Sequence, residues 1–152
     1  MLNPGITEKL GVKVTRAAAD VFDGSQKALF TVAGGKVLVT ALIGTVSGAA
    51  VDAGASNTSF VTNPTTGTDA AMCAVLDINA DEAGTIYSIT GEPGTALQGG
   101  SGGGAAANVA GFVVPVGTID LLTVADVGTG GALGAFDIWY VPLDPGATVT
   151  AA

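Results

Sequence analysis

The sequence has no histidine and only one cysteine, and both features restrict its chemistry. Without imidazole there is no Ser-His-Asp or Cys-His arrangement, and the usual zinc sites are excluded. Cys73 lies in an apolar run without a basic neighbour in sequence, so we predict a buried, unreactive thiol. One cysteine cannot form an intramolecular disulfide, so stability has to come from a hydrophobic core or from partner chains.

Charged residues are also scarce, at 12% of the chain against 48% hydrophobic residues. Such a composition is typical of a membrane protein or of a subunit that buries surface in an assembly. The longest weakly polar run, residues 37–51, is shorter than the roughly 20 residues of a spanning helix. Residues 1–11 contain no apolar signal segment. We therefore expect no membrane association and no secretory leader, and favour a subunit that contacts other chains.

Basic residues are absent after position 36. All five lie at or before that position, whereas ten acidic residues follow it, and the formal charge is −8. An acidic body repels nucleic acid, so we expect no nucleic-acid partner. Two interpretations of this distribution are open. The acidic residues form a solvated surface that keeps an apolar protein soluble, or the less acidic N-terminal segment docks on a partner while the acidic body faces water.

Apolar, β-branched runs separated by Gly, Pro, Asn and Asp indicate a chain of β-strands. Gly34 and Gly35 lie between two such runs and predict a tight hairpin within residues 28–46. A second hairpin with a longer loop is predicted for residues 72–78 and 85–90. In the run 135–141, Phe136, Ile138 and Tyr140 share one face, which we predict to be the core face.

No ten-residue segment has helical apolar spacing, so we predict an all-β antiparallel β-sandwich or jelly roll of about eight strands. Residues 1–16 are predicted to be an N-terminal arm that includes a short strand from position 12, and residues 17–152 a single β-sandwich domain. Alanines 17–19 allow a helical turn. Residues 91–108 contain seven glycines and are predicted to be a mobile loop or a contact arm.

Residues 77–81, DINAD, resemble the first half of a calcium-binding loop, because oxygen ligands at alternating positions can converge on a hard cation. Glu82 replaces the required glycine, and Ser88 stands where a bidentate carboxylate is needed. A hairpin loop with solvated acids is favoured, and a different kind of calcium site stays open. No acid pair is selected by its spacing. We therefore expect no enzyme activity and assign no catalytic residue, cofactor or metal ligand.

Four segments in chain order carry a resemblance to a known class: LFTVAGGKVLVTALIGTV, MCAVLDINADEAGTIYSITG, VVPVGTIDLLTV and IWYVPLDPGATVTAA. Together they resemble small virion proteins encoded near the head genes of tailed bacteriophages. The resemblance implies a structural protein of the capsid surface, of the decoration or cement type, whose partner is the major capsid protein. Proteins of that class commonly form homotrimers at local threefold positions of the shell.

The resulting hypothesis places the binding site in the arm, where Lys9, Lys13 and Arg16 would contact acidic or backbone groups of the capsid. Two other functions stay open. A phage tail or fibre component would share the β-rich composition. A carbohydrate-binding β-sandwich would need exposed aromatic side chains or a calcium site, and the chain has only five Phe, two Tyr and one Trp.

Overall fold

The computed structural model describes residues 11–51, 57–100, 111–124 and 131–152. These residues form twelve β-strands: β1 Val12–Ala19, β2 Gln26–Ala33, β3 Val37–Gly48, β4 Asn57–Pro64, β5 Ala70–Ala71, β6 Leu76–Asp77, β7 Ile86–Ser88, β8 Gln98–Gly100, β9 Phe112–Val114, β10 Gly117–Thr123, β11 Ala132–Pro142 and β12 Thr148–Ala151. Five of the strands, β5 to β9, have only two or three residues, too few for an apolar period to reveal each one. No helix in these four ranges is long and apolar enough to cross a membrane.

Two six-stranded antiparallel sheets pack against each other. Sheet I has the order β1-β11-β3-β7-β8, and β9 also pairs with β3. Sheet II has the order β12-β2-β10-β4-β5, and β6 also pairs with β4. The predicted all-β sandwich is thereby confirmed, with twelve strands in the described ranges rather than about eight.

Both predicted hairpins are wrong, because the strands of each lie in different sheets. β2 pairs with β10 and β12, whereas β3 pairs with β11, β7 and β9. Likewise β6 pairs with β4, whereas β7 pairs with β3 and β8. A glycine turn between two apolar runs can connect neighbouring strands of one sheet, or strands that belong to two sheets packed on the same core. The turn between β2 and β3 is of the second kind.

The core between the sheets contains the aromatic residues predicted for it. Phe136, Ile138 and Tyr140 of β11 are all buried, which confirms the predicted core face. Phe136 packs edge-on against Phe60 of β4, with ring centroids 6.0 Å apart and an interplanar angle of 87°. An aromatic pair of this geometry adds roughly 0.5–1.5 kcal/mol beyond burial. It joins β11 of sheet I to β4 of sheet II.

Part of the predicted arm belongs to sheet I. Residues 12–16 lie in β1, which pairs with β11 from Val12 opposite Tyr140 to Arg16 opposite Phe136. β1 continues through Ala19, so the alanine run is strand and not a helical turn. Residues 1–10 lie outside the described ranges. The predicted glycine-rich loop is also partly strand, since β8 forms one edge of sheet I, while residues 101–108 lie outside the described ranges.

Candidate interaction surface

The side of sheet I that points away from the core carries large apolar side chains beside small polar ones. Along β11 the buried residues alternate with partly exposed ones, so Leu133, Trp139 and Val141 lie on the outer side. Val141 pairs with Leu38 of β3, and Leu38 pairs with Val113 of β9, which is 58% exposed. We call this surface the outer face of sheet I; it comprises the apolar residues Leu38, Ile43, Val113, Leu133, Trp139 and Val141, together with the polar residues Lys13, Thr15, Thr40, Thr45, Ser47 and Asp137.

This face carries no net charge in its described part. Lys13 Nζ lies 3.1 Å from Asp137 Oδ2 and 5.0 Å from the centroid of the Trp139 ring. Thr15 Oγ1 donates a hydrogen bond to the same carboxylate. The other described acidic residues lie on sheet II or in loops. The outer faces of antiparallel sheets are commonly polar, so an apolar and neutral one is a candidate interface.

The structure places two of the three basic residues predicted to contact the capsid. Lys9 lies outside the described ranges. Lys13 lies on the outer face of sheet I, whereas Arg16 is opposite the core residue Phe136, with Nε and Nη1 buried and without a hydrogen-bond partner among the described residues. Lys13 and Arg16 therefore lie on opposite faces of β1, and their predicted contact with a capsid stays a prediction. Their odd separation of three residues already places them on opposite faces of a strand.

The carboxylates of the calcium-like segment accept hydrogen bonds from residues close to them in sequence. Asp77 Oδ1 accepts a hydrogen bond from the Asn79 backbone N–H at 3.0 Å, and Asp81 Oδ2 accepts one from Tyr87 Oη at 2.7 Å. Burial, followed by the hydrogen bond to Asp81 and its negative charge, raises the pKa of the Tyr87 phenol. Ala80, between the two acids, has a φ of 59°. Within the described ranges no group of three or more His, Cys, Asp or Glu residues is placed to hold a metal ion.

Cys73 is 2% exposed, which confirms its predicted burial. Its Sγ accepts a hydrogen bond from the Phe60 backbone N–H at 3.3 Å. Burial raises the pKa of the thiol, so the nucleophilic thiolate is disfavoured.

A polar cluster that the sequence did not indicate lies on sheet II. It consists of Gln26, of Asp69, which is 43 positions further along the chain, and of Asp120, which is 94 positions further along. The pairing of β2 with β10 and the loop before β5 bring the three residues together. Gln26 Nε2 donates hydrogen bonds to Asp69 Oδ2 and Asp120 Oδ2. No local spacing signals such a cluster, because each residue comes from a different segment.

The chain matches no protein-family model, no curated protein and no solved structure. The described residues form an all-β sandwich in which the outer face of sheet I carries no net charge and presents large apolar side chains.

Proposed function

We propose that this chain is a structural virion protein that binds the outer surface of a bacteriophage capsid and stabilises it, as a decoration or cement protein. The outer face of sheet I is the observation that carries this proposal. A chain with a formal charge of −8 meets least electrostatic repulsion from an acidic neighbour when it presents a surface without net charge. The resemblance of the four sequence segments to head-associated phage proteins supports the capsid as the partner.

The proposed interface derives its affinity from apolar contact. Burying apolar surface contributes roughly 25 cal/mol per Å², and a stable interface covers about 800 Å² on each partner. Lys13 and Asp137 are each about one-third exposed and already paired, so they can stay paired at the margin of the interface. The protein acts as a homotrimer in this proposal, because three linked contacts to the shell strengthen binding beyond a single one.

The central experiment compares two exposed valines on different sheets. Val113 lies on the outer face of sheet I, whereas Val124 follows β10 of sheet II and is 64% exposed. Val113→Glu is expected to abolish co-sedimentation with capsids of the encoding phage, and Val124→Glu to leave it unchanged. Equal binding of the two variants would remove the outer face from the proposal. A parent protein that does not co-sediment with capsids would overturn the capsid-binding function.

The oligomeric state is measured separately by light scattering after gel filtration. We expect a mass three times that of the 14.6 kDa chain. A monomer in solution and on the particle would contradict the trimer.

The basic residues of the N-terminal segment need a narrower test than removal of the whole predicted arm. Deleting residues 1–16 would remove most of β1 and expose the edge of β11. Deleting residues 1–10 leaves β1 intact and removes Lys9. Weaker co-sedimentation of this shortened chain would support a contact through Lys9, whereas undiminished binding would exclude it.

A further inference from the structure

Two carboxylates from distant parts of the chain converge on one point on sheet II. Gln26 is the first residue of β2, Asp120 lies in β10, and Asp69 directly precedes β5. The Gln26 amide nitrogen is 2.9 Å from Asp69 Oδ2 and 2.7 Å from Asp120 Oδ2. Asp120 lies between the core residues Ile119 and Leu121, so its side chain is on the sheet surface that faces away from the core.

The Asp120 carboxylate is incompletely satisfied. Asp120 is only 3% exposed, and while its Oδ2 is bonded to Gln26, its Oδ1 has no hydrogen-bond partner among the described residues. Lys27, which follows Gln26 in sequence, pairs with Asp23 at 2.8 Å. A buried carboxylate oxygen without a partner is unfavourable, and a second carboxylate nearby adds like-charge repulsion. A cation between the two carboxylates would bind the unpartnered oxygen of Asp120 and would offset the repulsion between Asp69 and Asp120.

We propose that Gln26, Asp69 and Asp120 bind a hard divalent cation, either Ca²⁺ or Mg²⁺. A half-turn of the Gln26 amide exchanges its nitrogen for its oxygen, which gives a third oxygen ligand beside the two carboxylates. Ca²⁺ accepts carboxylate, amide and water oxygens together, and Mg²⁺ is commonly held by one or two carboxylates and several waters. Gln26 and Asp69 are exposed, so water can complete the coordination.

This site differs from the calcium-like segment at residues 77–81. The Asp77 and Asp81 carboxylates accept hydrogen bonds from the nearby residues Asn79 and Tyr87, whereas Asp120 Oδ1 is buried and has no hydrogen-bond partner in the part of the chain that the structure describes. Asp77→Asn is therefore a matched control, since it removes one carboxylate from the other candidate without changing the proposed ligands.

The experiment follows thermal unfolding of the full chain after chelator treatment, with CaCl2 or MgCl2 added against NaCl of equal ionic strength. A saturable rise in Tm is expected with at least one divalent salt. At a cation concentration ten times its Kd, the unfolding equilibrium constant should fall about elevenfold. Asp69→Asn and Asp120→Asn should both abolish the rise, and Asp77→Asn should keep it.

Three results would overturn the proposal: no saturable rise in the parent protein, a rise that survives Asp69→Asn, or a rise that only Asp77→Asn removes. Asp69 is exposed, so its variant remains informative if Asp120→Asn does not fold. Calorimetric titration with Ca²⁺ and with Mg²⁺ gives the stoichiometry, which should be one cation per chain for the ion that raises Tm.

Discussion

The ring of Phe136 fits between two glycines of its own sheet. A Cβ atom placed on Gly44 would lie 2.7 Å from Phe136 Cε1, and one on Gly134 would lie 2.7 Å from Phe136 Cε2. Neither distance is compatible with normal carbon contacts, and the Phe136 ring cannot move aside because it packs on Phe60 of sheet II. The two glycines thus make room for the aromatic pair that joins the sheets.

Gly134→Ala is expected to destabilise the protein by about 1–3 kcal/mol, because the added methyl group overpacks the core at Phe136 and Val21. Gly94→Ala is the control, since its Cβ would meet no atom within 4 Å. That control should change the free energy of unfolding by less than about 0.5 kcal/mol. Urea denaturation measures both variants, and equal effects would contradict the packing argument.

Arg16 and Lys13 should respond differently to replacement by methionine. Arg16→Met removes a half-buried cation whose Nε and Nη1 have no hydrogen-bond partner among the described residues, so stability should stay the same or rise. Lys13→Met removes a partly exposed ion pair with Asp137 and should cost about 0–1 kcal/mol. Chemical denaturation tests both. A loss above about 2 kcal/mol for Arg16→Met would show that the guanidinium has a stabilising partner.

Tyr87 should make the protein lose stability in alkaline solution. Burial and the Asp81 carboxylate raise the pKa of its phenol above that of an unfolded tyrosine, which is about 10. The effect is absent below this pH; above it the unfolded chain releases a proton that the folded chain retains, so the free energy of unfolding falls as pH rises. Tm measured from about pH 8 to pH 11 should therefore decline less steeply in Tyr87→Phe. Cys73, whose pKa burial also raises, contributes to the decline that remains. Identical slopes in parent and variant would contradict the assignment to Tyr87.

The turn between β2 and β3 is a corner that carries the chain from sheet II to sheet I. Gly34 and Gly35 have φ angles of 75° and 151°, so the positive φ expected from the sequence is present. The Lys36 backbone N–H donates to Asp144 Oδ2 at 2.8 Å, which holds the corner against the loop between β11 and β12. Two glycines therefore predicted the backbone conformation, whereas the pairing partners of each strand depended on residues far along the chain.

Gly34→Ala and Gly146→Ala separate backbone strain from steric overlap at this corner. Their φ angles are similar, at 75° and 83°, but a Cβ on Gly34 would overlap the Gly146 carbonyl oxygen, whereas one on Gly146 would meet nothing within 4 Å. Gly146→Ala should cost about 1–2 kcal/mol from the left-handed conformation alone. Gly34→Ala should lower the free energy of unfolding by clearly more, as measured by urea denaturation. Equal losses for the two variants would mean that the backbone at the corner shifts to accommodate the added methyl group at no energetic cost.

The core face and the outer face of sheet I also differ in how far they could be predicted from the sequence. Alternation along β11 was sufficient to assign the Phe136 face to the core, because strand periodicity is local. The low charge of the chain indicated a surface buried in an assembly, but not which surface. That assignment required the pairing of β11, β3 and β9, which places Val141, Leu38 and Val113 in one row. The Gln26, Asp69 and Asp120 cluster has the same origin in long-range pairing.

In the molecule as a whole, sheet I presents large apolar side chains on both of its sides. Its core side packs on sheet II, and its outer side presents the neutral surface proposed for capsid binding. Continuous apolar runs such as VLVTALI in β3 are typical of strands covered on both faces. The acidic residues on sheet II and in the loops keep the rest of the molecule solvated and limit contact through other surfaces.

Binding through this face should resist salt. Raising NaCl from about 50 mM to about 500 mM screens the repulsion between acidic partners and weakens only charge-driven attraction, so capsid co-sedimentation should stay constant or increase. Trp139 is the only tryptophan and lies on this face, so its emission should shift to shorter wavelength when the face is covered. Val113→Glu should show neither binding nor shift. Loss of binding at high salt, with unchanged Trp139 emission, would assign the contact to basic residues of the N-terminal segment instead.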